Sequence, residues 1–188
     1  MTAPTLDITQ AVLMKAMGDY LGTILPDGYE IAQAQQNRVP PPVGAHYLIM
    51  TPLRTSRLMT NIEDDPPADI IPPETGPLPY GIEAAYEWVV QLDFYGDESA
   101  DAAQAVSMAL RDASACTAFD ASGYAIQPLY ADEPRQMPFS DESQQYEERW
   151  SLEAHLQFNP VLATGQDYAD TLRVDLINVE AQVFGQEN

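Results

Sequence analysis

Residues 95–99 read Tyr-Gly-Asp-Glu-Ser, between an alternating segment and an alanine-rich one. A glycine turn leading from a strand into a helix is a place where proteins hold phosphate or present a nucleophile. A phosphate loop needs several backbone N–H groups freed by glycines and a lysine or arginine beside them. Here Gly96 is alone, and Asp97, Glu98 and Asp101 would repel an anion. The same acids suit a helix N-terminus, where Ser99 or Asp101 can cap free amides and negative charge meets the positive end of the dipole. The turn is expected to join scaffold rather than carry chemistry.

Other residue types capable of chemistry are scattered. Asp97, Glu98 and Asp101, like Glu63-Asp64-Asp65, lack the alternating acid spacing of a calcium loop. His46 and His155 have no HxH or HxxxH partner, and no GxSxG elbow accompanies the serines. His155 falls on the polar side of its segment and is expected at the surface. Cys116 is the single cysteine, so an internal disulfide and a cysteine-based zinc site are both excluded; a small packed or partly exposed residue is expected. No catalytic residue, cofactor or metal is expected.

The arginines are more informative. Arg38, Arg54 and Arg57 are three of only eight cationic residues in a chain of net charge −21. They either pair internally with the acidic excess or dock onto the acidic surface of a neighbouring copy. Arginine suits the second use because its fork pairs bidentately with carboxylates.

That charge, from 29 acidic and 8 basic side chains, repels DNA, RNA and anionic membranes. Duplex binding by counterion release is therefore not expected. With 45% apolar residues the chain can build a core, and its 188 residues suit one domain spanning 1–188. The first residues, MTAPTLDITQ, lack a basic region and a long apolar run, and no stretch approaches a membrane span. A soluble chain, made and used in a cytoplasm, is expected.

The elements that would position these residues follow from periodicity. Asp7 with Gln10 three residues on matches a helix start, and Ile8, Val12, Ala16 and Tyr20, flanked by Leu13, Met17 and Leu21, form a helical stripe that ends at Pro26-Asp27-Gly28. Residues 29–35 are compatible with an extended segment. His46–Leu53 predicts a buried strand, with Arg57–Asn61 pairing with it or continuing it past a kink at Pro52. Residues 84–95 alternate: Tyr86, Trp88, Val90, Leu92 and Phe94 face one way and Glu87, Gln91 and Asp93 the other, as on a half-covered antiparallel sheet. A helix bearing Ala102, Val106, Leu110 and Ala113 follows. Tyr124–Tyr130 predicts an edge or irregular strand, residues 131–146 a polar loop, residues 148–158 a second alternating strand stopped by Asn159-Pro160, and Leu172 to about Val179 a last strand after a short linker.

Residues 61–83 differ in kind. Six of the chain's 16 prolines fall at 66, 67, 72, 73, 77 and 79, interspersed with acids. Proline removes backbone donors and acids resist burial, so an extended proline-rich acidic loop, arm or hairpin is expected rather than core. Pro66, Pro67, Ile70, Ile71, Pro72 and Pro73 join the three arginines as candidate subunit-interface residues. The whole predicts an α+β domain: a mostly antiparallel sheet with one or two helices packed on one face, plus the long proline-rich arm.

Several short runs, in order, resemble the phage neck terminator, or tail terminator, family. They are Gln36-Asn37-Arg38-Val39-Pro40, Met50-Thr51-Pro52-Leu53 and Arg57-Leu58-Met59-Thr60-Asn61, then Gln91-Leu92-Asp93-Phe94-Tyr95-Gly96. In the last third come Pro128-Leu129-Tyr130, Pro134-Arg135-Gln136, Pro138-Phe139 and Gln145–Trp150. The resemblance implies a structural virion protein of the head–tail junction without catalytic activity. It implies a ring, six copies in such proteins, that stops tail-tube polymerisation and docks to the head's neck or connector proteins. An acidic lumen would let DNA pass without holding it. A head-completion or connector protein is the near alternative. An acidic DNA-mimic inhibitor is an alternative of another class, and a small hydrolase is one that no residue constellation supports.

Overall fold

The computed structural model describes residues 4–34, 46–64, 78–137, 139–140 and 146–166. Its elements run, in chain order, β1 (Thr5–Leu6), α1 (Gln10–Ile24), β2 (Glu30–Gln33), β3 (Tyr47–Arg57), β4 (Ile62–Asp64), β5 (Leu78–Glu83) and β6 (Tyr86–Tyr95). Then follow α2 (Ser99–Ala109), α3 (Ala113–Asp120), β7 (Ile126–Ala131), β8 (Arg135–Gln136), β9 (Phe139–Ser140), β10 (Tyr146–Glu147), β11 (Arg149–Phe158) and β12 (Val161–Gln166). The fold is α+β with mostly antiparallel sheets, as the periodicity predicts.

The main sheet has the order β2-β3-β6-β11-β7, with β8 also pairing β11. Only β2 and β3 run parallel; the other pairs are antiparallel. The two alternating segments become its centre, with Trp150 opposite Phe94, Leu152 opposite Leu92 and Leu156 opposite Trp88. Those residues bury one face against α1, α2 and α3: Trp88, Val90, Leu92, Phe94, Leu152 and Leu156 join Leu13, Met17, Leu21, Val106, Leu110 and Phe119 in one core. Each such side chain taken out of water stabilises by about 1.5–3 kcal/mol. Ala102 and Ala103 on α2 are buried, and their small size lets the helix lie close on the sheet.

Both prolines inside the strands of the main sheet sit at register shifts. The pairing of β3 with β6 slips between Pro52 and Arg54, and that of β7 with β11 slips where Pro128 opposes Leu156. Proline cannot donate to a ladder, so the strand bulges and continues. Leu53 and Leu129, the residues that follow the two prolines, are left exposed. β3 thus runs past its kink as far as Arg57, but residues 58–61, expected to continue it or pair with it, are not strand.

Several expectations are corrected. The helix start belongs to Thr9, whose hydroxyl accepts from the Val12 N–H; Asp7 instead accepts from the N–H groups of Ile8 and Val161, both at 2.7 Å, and ties β1 to β12. α3 was not foreseen: its alanine-rich turn buries only Ala115 and Phe119, too short a stripe to show a period. Cys116 on α3 is exposed. The stretch 161–166, expected as linker, is β12, and the expected polar loop holds β8, β9 and β10. β12 and β8 depend on β5 and β11, partners distant in sequence that local pattern cannot supply, whereas β9 and β10 pair with each other.

The described ends of the proline-rich segment are ordered. β4 and β5 pair antiparallel, Ile62 opposite Glu83, and belong to a second sheet of order β1-β12-β5-β4. Residues 65–77 between them, and the expected strand at Leu172 to Val179, lie outside the described residues.

Candidate functional site

Of the candidate interface residues, Arg54 and Arg57 are described; Arg38, Pro66, Pro67, Ile70, Ile71, Pro72 and Pro73 lie outside the described residues. Both arginines project from the C-terminal half of β3, past the bulge, on opposite faces: Arg54 is opposite Val89 and Arg57 opposite Tyr86. Arg54 Nη1 lies 3.9 Å from a Glu153 carboxylate oxygen, with both side chains well exposed. At that separation and exposure the pair contributes at most about 1 kcal/mol. The Arg57 guanidinium lies over the Tyr86 ring at 5.7 Å and donates to Asn61. Among the described residues it makes no ion pair. Leu53, Leu58 and Ile62 are exposed nearby along the chain. The two arginines thus leave the strand on opposite faces, with three exposed aliphatic side chains along the same stretch.

The glycine turn takes its shape from backbone conformation. Gly96 and Glu98 adopt left-handed φ values of 93° and 69°. Glu98 is the N-cap of α2 and makes no side-chain capping bond. The expected cap by Ser99 or Asp101 is therefore absent. Ser99 is instead fully buried, and its hydroxyl has no partner among the described residues. Asp101 stays in the first turn, where its charge still meets the helix dipole.

Next to this turn is a cleft of about 300 Å³, formed by Ile24–Tyr29, His46 and the first turns of α2, including Glu98, Asp101 and Ala105. Burial pushes the Tyr29 phenol from 10.0 up to about 12. Its ring packs 6.2 Å from that of His46. Among the described residues the cleft holds acids and a phenol, with no lysine or arginine for phosphate and no hydroxyl hydrogen-bonded to His46.

The face of the main sheet away from the helices carries the arrangement that sequence reasoning missed. Asp93, expected on a solvated side, is 4% exposed. Arg149 Nη2 reaches it at 3.0 Å, Gln91 donates to both its oxygens, and the Arg149 guanidinium lies over Tyr95 at 5.5 Å. Tyr95 in turn stacks on Tyr47 at 4.6 Å. His155, expected at the surface, is 4% exposed: its Nδ1 lies 2.8 Å from Glu87, and Tyr130 stacks on it at 4.2 Å. The polar side chains of three strands lie against one another and bury each other. A possible signal was the polar type of Asp93, Arg149 and His155 at mid-strand positions, but the pairing that joins them appears only with the register.

No described serine or cysteine hydrogen-bonds to either histidine, so the geometry assembles no nucleophile with a base. Comparison with known proteins identifies the family. A family model described as phage neck terminator protein matches residues 11–186. The chain belongs to the phage neck terminator family. As a member it has a terminator's structural role in a phage-like tail, and its place is in the virion's tail. No curated protein matches the sequence. Among solved structures, this terminator resembles the sheath/tube terminator of an extracellular contractile injection system, PVC, in its extended state, with 13% identity and a TM-score of 0.44. The match covers 95% of this chain and 66% of that one. At that likeness the family match identifies the chain and the neighbour adds no argument. No described helix of this terminator is long and apolar enough to cross a membrane.

Proposed function

We propose that this terminator assembles as a closed ring, of six copies, on the last ring of the tail tube, stops its growth and presents the surface that joins the tail to the head's neck proteins. The family match over residues 11–186 carries the reading. A closed ring needs a heterologous interface, one patch meeting a different patch on the next copy. The exposed end of β3, with Arg54 and Arg57, is one such patch, and the acidic excess of the chain provides its complement. The arm at 61–83, with Pro66, Pro67, Ile70, Ile71, Pro72 and Pro73, reaches a neighbour from the β4–β5 hairpin. DNA passes the lumen without specific binding, since a protein of net charge −21 gives phosphates few cations to hold. Assembly takes place in the host cytoplasm.

The test is native mass spectrometry and electron microscopy of the purified chain, alone and mixed with tail tubes. Six-membered rings, or tube ends capped by such rings, are expected. Tubes that keep elongating in excess protein, with no ring at their ends, would overturn the proposal.

A further inference from the structure

Asp132, Glu153 and His155 each offer one ligand atom, and these atoms lie within 4.8 Å of one another. We propose that they form a divalent transition-metal site, with zinc as the best-matched ion. Two carboxylates and an imidazole are a donor set that zinc accepts, with a fourth position left for water.

Four observations make this more than a chance grouping of acids. First, the imidazole is built in. It is 4% exposed, stacked on Tyr130, and its Nδ1 is held by Glu87 at 2.8 Å, which leaves Nε2 for a cation. A carboxylate on the far nitrogen is how metal-binding histidines are commonly oriented and made more basic. Second, register separates the two kinds of acid. Glu87 opposes Gln157, two residues beyond His155 on β11, whereas Glu153 lies two residues before it. Glu87 and Glu153 therefore approach the ring from opposite directions.

Third, Asp132 is fixed by its backbone. Its N–H donates to the Glu153 carbonyl at 2.8 Å, and its carbonyl accepts from the Ser107 hydroxyl at 3.0 Å. Such anchoring lowers the ordering cost of binding. Fourth, a cleft of about 140 Å³ opens on the carboxylate side of the group, lined by Asp132 and Glu153 together with Gln91, Glu133, Arg135 and Ser151 but not by His155, and has room for water beside the two carboxylates. Among the described residues, Arg135 lines this cleft and Arg54 pairs loosely with Glu153 at 3.9 Å, against Glu87, Asp132, Glu133 and Glu153. A bound ion would pin the chain where it leaves β7 to the central strand β11, and so clamp one edge of the sheet.

The experiment uses the full chain, stripped with EDTA and titrated with zinc chloride by calorimetry in excess magnesium, which occupies diffuse acidic sites. One saturable site per chain is expected. Asp132→Asn and Glu153→Gln should each weaken it at least tenfold, and the positioning change Glu87→Gln about tenfold. X-ray absorption of the zinc-loaded wild type should show one imidazole among oxygen ligands, a readout independent of how any variant folds. Non-saturable binding, unchanged affinity in both Asp132→Asn and Glu153→Gln, or a spectrum without imidazole would each overturn the assignment.

Discussion

Arg149 and Asp93 meet at 3.0 Å across β11 and β6, on the sheet face that carries no helix, and Asp93 keeps only 5% of its side chain exposed. Gln91 donates to both carboxylate oxygens, and Tyr95 covers the guanidinium. A desolvated pair whose hydrogen bonds are met is tolerated, but half of one is costly.

Removing the cation should therefore show that cost. Arg149→Ala is expected to destabilise the fold by about 3 kcal/mol, measured by urea unfolding, because Asp93 is left charged and enclosed. The double change Arg149→Met with Asp93→Leu should recover most of the loss. An Arg149→Ala protein as stable as the wild type would mean that water reaches Asp93 freely.

Phe119 tests the role of the helix that sequence did not reveal. It is 2% exposed and packs 5.1 Å from Tyr20, joining α3 to α1. Phe119→Ala should cost about 3–5 kcal/mol, a transfer loss plus a cavity. A much smaller loss in the unfolding curve would show α3 to be an appendage to the core.

Tyr29 should leave a signature at alkaline pH. Burial raises its phenol from 10.0 to about 12, so the folded chain resists forming the tyrosinate that the unfolded chain forms readily. Stability linked to Tyr29 is complete below pH 10 and is lost as pH climbs from 10 to about 12. Burial raises the Tyr20 phenol as well, so difference absorbance at the tyrosinate band should show late-titrating phenols, with the Tyr29 component lost in Tyr29→Phe. A Tyr29 that titrates with the exposed tyrosines would contradict its burial.

Asp112 should act at the acid end. Its side chain accepts from the Ser114 N–H at 2.9 Å as the N-cap of α3, and the Ser114 hydroxyl first, then that N–H, hold its carboxyl below the usual carboxylate range. The cap's contribution is present above the unfolded aspartate value and is lost as pH falls through the lower folded value. Carbon-detected NMR titration should find the Asp112 carboxyl ionising below the exposed aspartates, and Ser114→Pro, which deletes the donor, should move it back up.

Arg54 separates stability from assembly. Its pair with Glu153 is long and exposed, so Arg54→Ala should change the unfolding free energy by less than about 1 kcal/mol. If the β3 end is the subunit interface, the same variant should lose rings by native mass spectrometry. Rings unaffected by Arg54→Ala would remove this residue from the interface.

The strands β6 and β11 were legible because each fully buries one face, so hydrophobic period and secondary structure agree. The stripe of α1 was legible for the same reason: Leu13, Met17 and Leu21 all meet the core. Where one local signal competes with another, the pattern misled. Asp7 and Thr9 both qualify as caps, and only the nearby Val161 N–H makes Asp7 a strand clamp. Asp93 and His155 were assigned to water by polarity, since alternation reports which residues share a face and not what lies on it.

The α+β class, the central strands, the first helix, the excess of negative charge and the family resemblance are all legible in the order of the residues. These depend on composition and on spacing within one segment. Tertiary structure alone decided that Arg149 neutralises Asp93, that Glu87 holds His155, and that Asp132 joins Glu153 and His155 in one group. Residues 56 and 68 positions apart met there because antiparallel register, set by core packing on the opposite face, put their strands side by side.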